Sequence, residues 1–166
     1  MKKKILSIIT SMAIFFGMFS VSVTNVQASE NETKKVDGSY LTMDEYSKGT
    51  SSNDHLRGIH MMTGECSITK AGRDEIYCYG ATTGNHEVDK LAVVVYVDQY
   101  QEDLDEWWQI DWWYEEATDD YFVHTDKTLE VDRGYYYRVH ADHFVAEGED
   151  PIEETFTFTD GIYLPE

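Results

Sequence analysis

From about residue 57 onward, apolar residues recur at alternate positions, the period of a β-strand with one buried face. The clearest example is Lys127–Ala146. Leu129 and Val131 alternate before a corner at Asp132-Arg133-Gly134, and Tyr135, Tyr137, Val139, Ala141 and Val145 alternate after it. Upstream, residues 57–62 read as a strand. Residues 65–69 and 75–79 read as a hairpin around the turn Lys70–Asp74. With Gly72 at the turn centre, Cys66 faces Cys78 and Ile68 faces Ile76. Gly80–Asn85 reads as a loop. Val88–Gln101 is the longest apolar strand, with Leu91, Val93, Val95 and Val97 on one side and Ala92, Val94 and Tyr96 on the other. Two apolar sides predict a central strand.

The segment Trp107–Tyr114 carries all four tryptophans. Strict alternation places Trp108, Ile110, Trp112 and Tyr114 on the core face. Trp107, Gln109, Asp111, Trp113 and Glu115 fall on the other. Acidic turns at Gln101–Glu106 and Glu115–Asp120 flank this segment. Tyr121–His124 reads as a short strand. After a turn at Glu147–Pro151, the last strand, Ile152–Asp160, sets Phe156 and Phe158 against Thr155, Thr157 and Thr159. No amphipathic helix or internal repeat is visible. Strands with turns at short intervals and no helix predict an all-β, antiparallel β-sandwich of about seven strands over residues 56–166.

The first 28 residues have a different pattern. Lys2, Lys3 and Lys4 precede an apolar run from Ile5 to Val23, and Val26-Gln27-Ala28 is a small-x-small cleavage site. Residues 1–28 are expected to be a signal peptide, with a retained anchor as the alternative, and the mature chain to start at Ser29 and be secreted. Residues 29–55 read as a polar lead-in, partly disordered, with a short edge strand at Ser39–Thr42.

Charge narrows the partners. The signal segment holds 3 of the 13 basic residues and none of the 32 acidic ones, so the mature chain carries 10 minus 32, or −22. That excludes nucleic acid and anionic membrane as electrostatic partners. A cationic or neutral extracellular partner, protein or glycan, fits, as do bound divalent cations. Cys66 and Cys78, in an exported chain, are expected to form a disulfide.

The chemistry-bearing residues are sparse. No nucleophile elbow, zinc-protease motif or phosphate-binding glycine loop is present, so no catalytic residue is assigned. Of the six histidines, only His140 and His143 are clustered, and on a strand they take opposite faces, with Asp142 beside His140. Asp103, Asp105, Asp119 and Asp120 in the acidic turns are candidate calcium ligands, since loop carboxylates suit that ion. Trp107 and Trp113 are the candidate ligand-binding residues, because flat aromatic faces stack on sugars or anchor protein partners. The expected function is an exported, non-catalytic binding module. The alternatives are a carbohydrate-binding module or glycan-active enzyme using acids beside those tryptophans, and a structural envelope protein.

The corner Leu129-x-Val131-x-Arg133-x-Tyr135-x-Tyr137-x-Val139-x-Ala141 resembles the E-to-F strand passage of fibronectin type III and immunoglobulin-like domains. The resemblance implies a tyrosine corner, with Tyr135 bonding back to the backbone and Tyr136 as the alternative. More widely, Asp37-Gly-Ser-Tyr-Leu-Thr42, Arg57-Gly58, Gly64-x-x-Ser67-Ile68, Gly80-x-Thr82, the valine-rich and tryptophan strands and Gly134-Tyr-Tyr-Tyr-Arg-Val139 are similar to a family of small exported proteins of Gram-positive bacteria, of unknown function. That likeness implies compartment and fold, and no mechanism.

Overall fold

The computed structural model describes residues 33–51 and 58–166. The expected signal peptide, the start of the lead-in and residues 52–57 lie outside the described residues. Within them are nine strands: β1 Lys35–Val36, β2 Ser39–Thr42, β3 Tyr46–Thr50, β4 Met61–Lys70, β5 Glu75–Gln101, β6 Glu106–Glu130, β7 Tyr135–Ala146, β8 Glu153–Phe158 and β9 Gly161–Leu164. The all-β expectation holds. The lead-in is more ordered than expected, since β1, β2 and β3 lie in it; the anticipated strand at Ser39–Thr42 is β2, but it is paired on both sides, with β1 and β9, and is not an edge.

The frame is one long hairpin. β5 and β6 pair antiparallel from Glu75↔Glu130 to Gln101↔Glu106. They bend where Gly84, Asn85, His86 and Glu87 of β5 stand against only Tyr121 of β6. The expected loop at Gly80–Asn85 is thus continuous strand, and the expected acidic turn at Glu115–Asp120 lies within β6 at the bend, with Asp119 at φ +52°. The first half of β5 carries β4 and then β3. The second half carries β7, which pairs with β8 and β9, and β9 leads to β2 and β1. The sheet curls until its ends face each other. The pairing is not purely antiparallel as expected, because β2 runs parallel to β9.

Ile68, Ile76, Leu91, Val93, Val95, Val97, Tyr137, Val139, Ala141 and Ile162 are fully buried between the curled halves. The β-branched side chains predicted to point one way along β5 do so, and that strand is central, between β6 and β7. Gly80 is required by close approach: a Cβ there would sit 2.5 Å from Val95 Cγ2 across the bend. Trp113 closes the edge of this core, its Nε1–H donating to Thr125 Oγ1 at 3.1 Å.

His143 is wholly buried in the interior. The Thr82 hydroxyl donates to the Ala92 carbonyl, so it accepts from His143 Nδ1–H at 3.0 Å, and His143 Nε2 accepts from the Thr157 hydroxyl at 2.8 Å. Burial lowers its pKa from 6.5 to about 4. A Cβ on Gly64 would lie 2.3 Å from this ring.

Two local expectations are corrected. Ala71 and Gly72 both donate to the Glu75 carbonyl. The turn centre therefore sits one residue later than Gly72, Ile68 faces Cys78, and Cys66 faces Gly80. The two cysteines share the buried side but are free thiols, not a disulfide. Burial raises their pKa values to about 11 for Cys66 and about 12 for Cys78. The corner is present between β6 and β7, with Gly134 at φ +88°. Its hydrogen bond comes from Tyr137, whose hydroxyl donates to the Asp132 carbonyl at 2.6 Å and accepts from Gln99 Nε2 at 2.7 Å. Tyr135, the expected donor, is exposed instead.

Candidate functional site

The register of the tryptophan segment decides the site. Val97 pairs with Asp111, but Asp98 pairs with Gln109, so Ile110 is an extra residue in β6. Such a bulge reverses the alternation beyond it. Trp107, opposite Tyr100, and Trp112, opposite Tyr96, therefore share the outer side of the sheet. Trp108, opposite Gln99, and Trp113, opposite Val95, share the inner side.

The bulge overturns the expected roles. Trp108, Ile110, Trp112 and Tyr114, read from the sequence as core, are 44–58% exposed. Trp107 and Trp113, read as the ligand-binding pair, are half-buried, lie on opposite sides of the sheet and make structural contacts. Besides its bond to Thr125, Trp113 lies under the Lys127 ammonium, which also pairs with Asp111. Trp107 donates Nε1–H to the Val36 carbonyl at 3.1 Å, and its ring lies 4.6 Å from the Arg138 guanidinium. A Cβ on Gly161 would sit 2.6 Å from that ring. The indole thereby fastens the lead-in hairpin β1–β2 over one end of the outer side.

A charged cluster completes this covered end. Arg138, 7% exposed, donates from Nε to Asp98 Oδ2 at 2.9 Å, from Nη2 to Asp37 Oδ2 at 3.0 Å, and from Nη1 to the Asp37 carbonyl and Ser39 Oγ. Asp98 Oδ2 also lies 3.1 Å from His140 Nδ1. Burial pushes the Asp98 carboxyl up, but hydrogen bonds and charge from His140 and Arg138 outweigh it and hold its pKa below the ordinary carboxylate value.

Among the described residues, no further element covers the outer side beyond the lead-in. Register places Trp112, Tyr96, His140 and Phe158 in one row across β6, β5, β7 and β8. Tyr114, Val94, Asp142 and Phe156 form the next. The Tyr96 and His140 rings stack at 4.6 Å, and Tyr96 OH donates to Asp142 Oδ2 at 3.2 Å. Phe156 and Phe158 stack at 6.3 Å and are 65% and 39% exposed, while the threonines alternating with them are buried. Phenylalanine outward and threonine inward is the reverse of what water alone favours. Asp37, Arg138, His140, Asp142, Phe156 and Phe158 border a groove of about 280 Å³ where the lead-in meets these rows. His140 and Asp142 face this groove and His143 the interior, as alternation predicts.

The candidate calcium ligands do not converge. Asp105 accepts from Tyr100 OH at 2.6 Å and pairs with Lys34 at 2.8 Å. The carboxylate of Asp120 accepts from the backbone N–H of Tyr121 and Phe122. Among the described residues, no three His, Cys, Asp or Glu side chains are grouped to hold a metal ion.

A model described as a family of unknown function (DUF6147) matches residues 28–161. The chain belongs to that family. No curated protein matches it. In this member the exposed aromatic surface was hidden from periodicity by one residue. The signal that could have revealed it is Phe156 and Phe158 alternating with three threonines, where Thr157 and Thr159 serve as inward hydrogen-bond partners to His143 and the Val139 backbone.

Proposed function

We propose that the protein is an exported, non-catalytic binding module that takes an extended, cationic stretch of an extracellular polypeptide on its outer aromatic face and along β6. The observation that carries this reading is the pair of bare cross-strand rows, Trp112–Tyr96–His140–Phe158 and Tyr114–Val94–Asp142–Phe156. An apolar and aromatic surface of this kind, continuous over four strands, marks interaction sites. Among the described strands, β6 pairs with β5 alone, so its far edge offers unpaired backbone groups for an added strand. Glu106, Asp111, Glu115, Glu116, Asp119, Asp120, Asp126 and Glu130 stand against Lys127 along that strand. This charge repels a second β6 and attracts basic segments. Export rests on the basic-then-apolar leader, and the family match starting at Ala28 supports the division there. The Tyr137 hydroxyl bond at the corner supports a distant likeness to fibronectin type III domains.

A glycan is the second reading, favoured by the Asp142 carboxylate and Tyr96 hydroxyl set beside flat rings. Tryptophan fluorescence titrated with Lys/Arg-rich peptides, acidic peptides and cell-wall glycans separates the readings. Saturation by the basic peptides alone, lost in Trp112→Ala and weakened by salt, is the expected result. Saturation by a glycan would replace the polypeptide with a sugar at the same rows. Silence toward all three would leave a structural envelope role.

A further inference from the structure

At the opposite end of the curled sheet, two imidazoles meet where the bend of β5 touches the start of β4. His60 Nδ1 lies 3.1 Å from His86 Nε2. The other nitrogen of each ring is already committed. His86 Nδ1 is 2.6 Å from the Glu87 carbonyl, which can only accept, so that nitrogen carries its proton. His60 Nε2 is 3.0 Å from Asp150 Oδ2, and a carboxylate likewise takes a proton from it. With each neutral ring's single N–H turned outward, the two facing nitrogens both present lone pairs. A cation between them reconciles the contact.

The carbonyl and carboxylate behind the rings are the partners that metal-bound histidines use to fix tautomer and orientation. The spacing also suits a metal. Bonds of about 2.0–2.1 Å to a tetrahedral ion set ligand nitrogens about 3.3 Å apart. The backbone beneath is fixed. Asn85 N–H donates to the His60 carbonyl at 2.7 Å, and the Glu153 carboxylate accepts from the N–H groups of Ile59, His60 and Met61. His60 is buried while His86 is exposed, so one ligand is anchored and the other can turn to meet an ion.

We propose that His60 and His86 form a two-histidine site for a borderline divalent ion of the zinc, nickel and copper class, completed by water, with Glu87 and Asp150 as the orienting partners. Imidazole nitrogen selects these ions over calcium or magnesium. The ion would tie the start of β4 to the bend of β5, separate from the aromatic face and independent of its ligand.

The test is calorimetric titration of the purified protein with Zn²⁺ and Ni²⁺, alongside histidine NMR with Ni²⁺. The expected result is one equivalent bound, with His60 and His86 signals broadened first. Affinity should fall at least tenfold in His86→Ala, fall about tenfold in Asp150→Asn, and stay unchanged in His124→Ala. Because His86 is exposed, His86→Ala should retain the wild-type melting temperature in chelator. Absence of saturable binding up to millimolar metal would overturn the proposal and leave a shared proton between the rings. Undiminished binding in His86→Ala would overturn it as well.

Discussion

Trp107 and Trp112 lie on the same side of the same strand, and their fates are opposite. Trp107 is capped by Val36 and Arg138, whereas Trp112 has the solvent on its face. What separates them is the reach of the lead-in. The β1–β2 hairpin and its turn at Asp37-Gly38 cover one end of the outer side, with Gly38 set against the Phe158 ring. The polar lead-in, which the sequence suggests is loose, is the cap that shelters one tryptophan and leaves the other exposed.

The largest effect should come from the cation over Trp107. Arg138→Ala leaves Asp98 buried beside His140 without its guanidinium, and a broken buried pair of this kind costs about 3–5 kcal/mol. Urea unfolding should show that loss. A cost below about 1 kcal/mol would mean the cap holds without its charge.

Removing the indole comes next. Trp107→Ala should destabilise by about 3 kcal/mol, since it takes away packing against Arg138 and the bond to Val36. Acrylamide should quench the remaining tryptophans more strongly on average than in the wild type, because Trp107 is among the sheltered ones.

Mild acid should separate the interior from the cap. The unfolded chain protonates His143 near pH 6.5, but the folded protein resists until about pH 4. Its contribution is therefore complete above pH 6.5 and is lost as pH falls toward 4, a decline of about 3 kcal/mol. Asp98 has its pKa below the ordinary carboxylate value, so its pairing with Arg138 should persist through that window. Urea midpoints at pH 7.5 and pH 4.5 should differ accordingly, while the emission of Trp107 in the native state should not.

The smallest stability effect belongs to the exposed tryptophan. Trp112→Ala should change unfolding by no more than about 0.5 kcal/mol, yet remove binding. A large loss of stability there would mean that something in the native fold covers it.

Much of the architecture was legible because burial follows alternation. The inward valines of β5, the corner at Gly134 and the opposed faces of His140 and His143 all obey period two. The failures share one cause, a shift in count. A turn centred one residue later than Gly72 moved Cys66 away from Cys78. The corner bond fell to Tyr137 because that side chain points into the core. Ile110 reversed the faces of the tryptophans. Composition also misled: Gly80 reads as loop, but it sits in a strand because Val95 leaves no room for a Cβ. The lead-in was hard to read because its order comes from distant partners, Arg138, Trp107 and the parallel strand β9, none of them local in sequence.

The extra residue at Ile110 is slack that the pairing absorbs. Deleting it while Val97–Asp111 and Asp98–Gln109 stay paired would restore strict alternation through the tryptophans and leave Trp107 and Trp112 on the outer side. Among relatives of this chain, a gap at that position should therefore change the local bend and twist of β6, and not which tryptophans face outward.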